Sequence, residues 1–141
     1  MAISNAAVDE IPAETECYPF FLQVWGHHVW ETAETSPVSV EDVRVAAQQA
    51  RQYLDSGFFN VRYQRLSERQ RDYAFALARL GGGPATSKHL AEELAIAVEQ
   101  AAAMRAGLIA KGLAYSPSRG LVAFTVPKFD EYLRRIESSL E

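Results

Sequence analysis

Cysteine occurs once in these 141 residues, at Cys17. An intrachain disulfide is therefore impossible and a cysteine-rich zinc site is excluded, a usage that fits the reducing cytoplasm. Long apolar runs are missing too. None approaches the roughly 20 residues needed to span a bilayer. The opening MAISNAAVDEIPAE has neither the basic nor the apolar region of a secretory signal. The expectation is a soluble, cytoplasmic protein with no membrane partner. Positive charge is also in short supply: 14 Lys and Arg against 18 Asp and Glu give a net charge of -4, which disfavours uniform attraction to nucleic acid or to an anionic membrane.

Catalytic and cofactor motifs are equally absent. A phosphate-binding loop needs G-x-x-x-x-G-K-[ST], because glycine amides wrap the phosphates and a hydroxyl reaches the metal ion. The nearest string is GGPATSKH, Gly82 to His89, with Ser87 in place of the second glycine and His89 in place of the hydroxyl residue. It reads as a turn between helices. His27 and His28 are neighbours on a helix, point about 100° apart, and cannot chelate one metal as an i, i+4 pair does. Cys17 beside Tyr18-Pro19 reads as a small buried thiol rather than a reactive one. With no grouping of serine, histidine and carboxylate at a turn, the chain is read as non-enzymatic, with no cofactor and no metal.

What is present suffices for a core: 48% of residues are hydrophobic and 23% charged, close to globular averages, over a length that suits one domain or two very small ones. Residues 1–8 carry no periodicity and read as a loose, disordered tail. From Tyr18 to Ala33, Phe21, Trp25, His28 and Val29 share a helical face behind Pro19, and Ser36-Pro37 ends that helix. Ser39 and Asp42 form a capping box for a second helix through Val43, Ala46, Ala47, Ala50 and Leu54, ending near Gly57. Phe58 to Leu66 reads as an aromatic connector.

Ser67 with Gln70 is a second capping box, opening a helix that runs through Tyr73, Ala74, Leu77 and Leu80 to the Gly81-Gly82-Gly83-Pro84 stop. Thr86 or Ser87 caps a short helix through Leu90, Ala91 and Leu94; a longer one starts near Ala97, buries Ala101, Met104 and Leu108, and ends at Gly112. Leu113 to Val126 holds two short β-prone runs around Pro117-Ser118-Arg119-Gly120, the pattern of a β-hairpin. Phe129, Tyr132, Leu133 and Ile136 line one face of a final helix. The order from Ser67, three helices, strand, turn, strand, helix, is that of a winged helix-turn-helix domain. The predicted fold class is mainly α: a disordered tail over 1–8, a helical segment over 9–65, and a winged-helix domain with its C-terminal helix over 66–141. Charge follows the same division: residues 1–65 sum to -5, residues 66–126 to +2 and residues 127–141 to -1.

The strings YPFFLQVWGHHVW (Tyr18 to Trp30), FFNVRYQRLS (Phe58 to Ser67), LIAKGLAYSPSRG (Leu108 to Gly120) and FTVPKFDEYLRR (Phe124 to Arg135) together resemble the C-terminal part of a family of prokaryotic AAA+ ATPases related to archaeal replication initiators. In that family a P-loop domain is followed by a small helical lid and a winged helix. The resemblance covers about residues 11 to 136 and implies that 9 to about 57 is a lid remnant, that the nucleotide-binding core is missing from this chain, and that an AAA+ core is a partner in cis or in trans. Cys17 stands where relatives usually carry glycine.

The function expected from these features is DNA binding, mainly to phosphates of a duplex. In a winged helix the third helix enters the major groove and the hairpin touches backbone or minor groove. The candidate contacts are Gln100, Arg105 and Lys111 on the third helix, Lys88 at the start of the second, and Arg119 at the hairpin tip. Arg69 and Arg71 flank the same surface. The exposed stripe of the third helix is expected to be Glu99, Ala103, Ala106 and Ala110, which offers little for base reading and suits packing against protein equally well. The alternative is therefore a protein-interaction or homodimerisation module using that stripe or the aromatics Trp25, Trp30, Tyr53, Phe58, Phe59 and Tyr63. Those aromatics otherwise form a core.

Overall fold

A computed structural model of the chain describes residues 4–15, 18–32 and 39–140. The fold is mainly helical with one small antiparallel sheet, and it divides into two compact units, residues 1–58 and residues 59–141. The division falls before the helical turn at Asn60 rather than at the expected 65/66. It sharpens the charge asymmetry: by sequence, residues 1–58 hold nine acidic and two basic side chains, and residues 59–141 hold nine and twelve.

The first unit contains α1 (Asn5–Thr15), α2 (Pro19–Thr32) and α3 (Val40–Leu54). The tail expected over residues 1–8 is corrected from Asn5 onward: the Ser4 hydroxyl accepts from the Ala7 amide at 3.2 Å, and Ala7 is completely buried beside Val29, Val43 and Ala46. That cap offsets the weak periodicity of the segment, because it satisfies an amide the first turn leaves open. α2 starts on Pro19 and buries Phe21, Val24, Trp25 and Val29, while His28 is half-buried. Cys17 and the Ser36-Pro37 break lie outside the described residues. α3 has the expected reciprocal cap of Ser39 and Asp42 and buries all five of its expected core residues.

Gly57 does not end the helical path. A π-helical stretch, Asp55–Phe59, and α4, Asn60–Gln64, occupy what sequence suggested was a connector. The apolar residues supply the reason. Phe58 stacks on Phe20 at 5.1 Å and meets Phe21 edge-on at 5.6 Å, and a wider π turn aims a side chain where a regular turn would not.

The second unit contains α5 (Glu68–Arg79), β1 (Ala85–Thr86), α6 (Ser87–Leu94), α7 (Val98–Ala110), β2 (Ala114–Tyr115), β3 (Leu121–Phe124) and α8 (Phe129–Leu140). Ser67 and Gln70 cap α5 reciprocally at 3.3 and 3.0 Å. The β2–β3 hairpin pairs Ala114 with Phe124 and Tyr115 with Ala123. A strand that sequence did not indicate, β1, pairs antiparallel with the other edge of β3, so the strand order is β1-β3-β2. Gly83 makes this possible: at φ +90 its missing Cβ would meet the Val122 carbonyl oxygen and would lie 2.7 Å from Ala123 Cα. Tyr73, Leu77, Leu90, Leu108, Val122, Phe129 and Leu133 form the buried centre. Phe59 stacks on Tyr132 at 5.3 Å and Phe124 meets Phe129 edge-on at 5.3 Å. Met104, expected to be buried, is half-buried at the edge of a groove.

Candidate functional site

The pairing of β1 with β3 brings the hairpin turn against the start of α6. Thr86 faces Leu121 in the register, and the Ser87 amide donates to the Gly120 carbonyl at 3.0 Å. Ser87 precedes Lys88 and Gly120 follows Arg119, so two cations 31 positions apart in sequence each sit next to one end of this hydrogen bond. Arg105 reaches the same place from α7, its Nη1 donating to the Ser87 hydroxyl at 2.8 Å. The Thr86 side chain meanwhile caps α6 by accepting from the His89 amide at 3.1 Å. Arg105 thus bonds Ser87 directly, and Lys88 and Arg119 are chain neighbours of the Ser87–Gly120 bond, where the first turn of α6 adds its partial positive charge.

The three cations are not in equal positions. Lys88 and Arg119 are exposed and have no hydrogen-bond or ion-pair partner among the described residues. Arg105 is half-buried and lends its charge to Tyr73, whose phenol is pushed up to about 12 by burial, an effect the guanidinium partly opposes.

The remaining two candidates have internal partners. The Lys111 ammonium donates to the Arg65 carbonyl and to the Gln70 side-chain oxygen, each at 2.6 Å, tying the C-terminal end of α7 to the start of α5. Its charge also suits the carbonyl end of α7. Gln100 accepts from the Ala97 amide at 3.3 Å. Ala97 has no side-chain acceptor to return the bond, so this is half of a capping box, and Gln100 stays exposed. Of the flanking arginines, Arg71 is spent on the Tyr63 carbonyl at 3.3 Å and on the Tyr63 ring at 4.4 Å. Arg69 is exposed, and with Ser67, Gln70, Gln100, Ala103 and Met104 it lines a groove of about 280 Å³ between α5 and α7.

The outward face of α7 carries Glu99, Ala103, Ala106 and Ala110 as expected, and two exposed apolar residues beyond them: Val98 at 50% and Ile109 at 40% exposure. Close approach of α5 and α7 is set at Gly107, where a Cβ would meet the Gln70 amide nitrogen. The aromatics divide. Trp25, Phe58 and Phe59 are buried and Tyr63 is half-buried, whereas Trp30 and Tyr53 are 60% and 54% exposed. Ser87 is the residue that sequence reasoning passed over as a contact point; its only local signal is its place beside the Thr86 cap.

Among the described residues no three His, Cys, Asp or Glu side chains gather to hold a metal ion, and no helix is long and apolar enough to cross a membrane. No curated protein and no solved structure matches the chain. One family does, over residues 56–133, a range that takes in α4 to β3 and the start of α8. The chain therefore belongs to the family described as a domain of unknown function, DUF8462.

Proposed function

We propose that residues 59–141 form a non-catalytic winged-helix module that binds duplex DNA through its phosphates. The observation that carries this reading is the Ser87–Gly120 hydrogen bond, which brings the backbone next to Lys88 and Arg119 together, with both side chains exposed and unpartnered among the described residues and Arg105 bonded to Ser87. The order of α5, β1, α6, α7, β2, β3 and α8, with β3 between β1 and β2, fits the reading. In it, Lys88 meets one phosphate beside the positive end of α6 and Arg119 on the hairpin turn meets another. Arg105 holds the start of α6 in place, and Lys111 fixes α7 to α5. The outer face of α7 offers alanine methyls and Glu99, so base discrimination is weak. The resemblance to AAA+ ATPases makes a P-loop core the proposed partner, in cis or in trans.

Titration of a fluorescently labelled duplex at low salt tests the proposal. Binding that weakens when Lys88 and Arg119 are both replaced by glutamine is the expected outcome; absence of binding, or binding indifferent to that change, refutes it.

A second reading has its own observation. Val98 and Ile109 flank the alanine stripe of α7 and leave an apolar surface of a kind that packs against protein. In that reading α7 docks on a partner or on a second copy of the chain. Light scattering discriminates: a dimer dispersed by Val98→Glu and Ile109→Glu supports docking, and a monomer that binds DNA refutes it.

A further inference from the structure

The first unit holds a cleft of about 440 Å³ between α2 and α3, lined by Phe20, Gln23, Val24, His27, His28 and Tyr53. That volume is in the range of a site for a small ligand or a single long side chain. We propose that this cleft receives a lysine or arginine side chain of a basic protein partner, held on the ring faces of Phe20 and Tyr53 with Glu31 as its counter-charge.

Three observations select a cation. The rings are partly accessible: Tyr53 is 54% and Phe20 38% exposed, with Phe58 stacked on one face of Phe20 at 5.1 Å and His28 set at 76° to Tyr53 at 5.9 Å. An ammonium or guanidinium over such a ring face is drawn by its quadrupole. Charge agrees. The lining contains no lysine or arginine, and residues 1–58 hold nine acidic side chains against two basic ones. Of those two, Arg44 faces Glu10 at 3.7 Å and Arg51 has a partner of its own. The positions on α2 complete the case: 20, 23, 24, 27 and 28 share one helical face, and Glu31 follows three residues on, exposed and close enough to act electrostatically on His28. His28 is held below the usual histidine range, first by burial and then by His27, which disfavours an opposing charge there. An anionic partner such as nucleic acid finds no lysine or arginine in the lining of this cleft.

The test is calorimetric titration of the full chain with a peptide carrying lysine and arginine in a glycine-serine background. A matched peptide with norleucine at every basic position keeps the apolar stems and removes the charge. The basic peptide is expected to bind and the norleucine peptide to bind at least about tenfold more weakly, with Tyr53→Leu costing about fivefold through loss of the ring face. Equal binding of both peptides, unchanged binding by Tyr53→Leu, or no binding overturns the proposal. Because Tyr53→Leu leaves the net charge intact, attraction to the acidic unit in general is distinguished from use of the cleft. Amide chemical shifts of the unmodified chain give a readout independent of any variant: changes at positions 20–28 and 53 are expected, and changes confined to residues 59–141 overturn the idea.

Discussion

Replacing Lys88 and Arg119 together by glutamine tests the DNA reading through a quantity that buried contacts do not move, the dependence of binding on salt. Each phosphate neutralised by a protein cation releases condensed counterions, and the logarithm of affinity then falls against the logarithm of salt with a slope of about 0.9 per contact. The structure limits how many contacts to count. Lys111 is committed to the Arg65 carbonyl and to Gln70, Arg71 to Tyr63, and Arg105 to Ser87; Arg69 is exposed but lines the groove between α5 and α7, which leaves Lys88 and Arg119 as the exposed, unpartnered cations next to the Ser87–Gly120 bond. Two phosphates give a slope of about -1.8, or about a 12-fold loss of affinity between roughly 50 and 200 mM salt. Fluorescence anisotropy with a labelled duplex, repeated across that range, measures it. The double variant is expected to lose most binding and to show a slope near zero, while its urea midpoint stays at the parent value because neither side chain has a partner to lose. Lys111→Met is the converse. It should leave the slope unchanged and cost about 1 kcal/mol of stability, the net worth of its hydrogen bonds. A slope that survives in the double variant, or one that Lys111→Met flattens while stability holds, refutes the assignment of Lys88 and Arg119 as the phosphate contacts.

Four further outcomes follow from the packing. Gly83→Ala should cost about 3 kcal/mol or more by urea denaturation, because it sets a methyl against the β3 backbone at positive φ. Gly107→Ala should cost about 1 kcal/mol or more, since the methyl displaces the Gln70 side-chain amide that accepts from the Ser67 amide and the Lys111 ammonium, a loss that improved helix propensity only partly offsets. Ala95, at φ 54 in the turn between α6 and α7, should accept glycine with a gain of roughly 0.5–1 kcal/mol, visible as a higher thermal midpoint. The Tyr73 phenol, raised from 10 to about 12, keeps its proton in the folded state where the unfolded chain loses it, so its contribution is complete below pH 10 and is lost as pH rises toward 12. The loss, up to about 2.7 kcal/mol, should vanish in Tyr73→Phe when unfolding is followed against pH.

What the sequence made legible was local. The boxes Ser39/Asp42 and Ser67/Gln70 each lie within four residues, and both helices start where those boxes place them. The hairpin and the last helix were legible for the same reason. β1 was not, because Ala85 and Thr86 become a strand only through Leu121 and Val122, some 35 positions further on. Gly57 carried a stop signal that tertiary packing overrode at Phe58 and Phe59. For the candidate site, residue types could be chosen from sequence and their availability could not. Arg105 and Lys88 look alike in a string of letters, and only the fold reveals that one bonds a hydroxyl 18 positions away while the other has no partner.

Net charge misleads in the same way. A total of -4 covers an excess of three cations in residues 59–141, and that excess is itself unevenly available. Arg79 takes up Glu93 and Glu137 at 2.9 and 3.0 Å, Arg134 takes up Asp130 at 2.9 Å, and Lys128 lies 3.9 Å from Glu131. These partly exposed pairs contribute little stability each, but they neutralise charge where they stand. Lys88 and Arg119 lie in neither these pairs nor the ties made by Arg105 and Lys111, so they are the exposed charges near the α6 start that remain available to a ligand. The proposed phosphate binding then carries two linked expectations. It should be weak and easily screened, because few counterions are released, and it should depend steeply on Lys88 and Arg119.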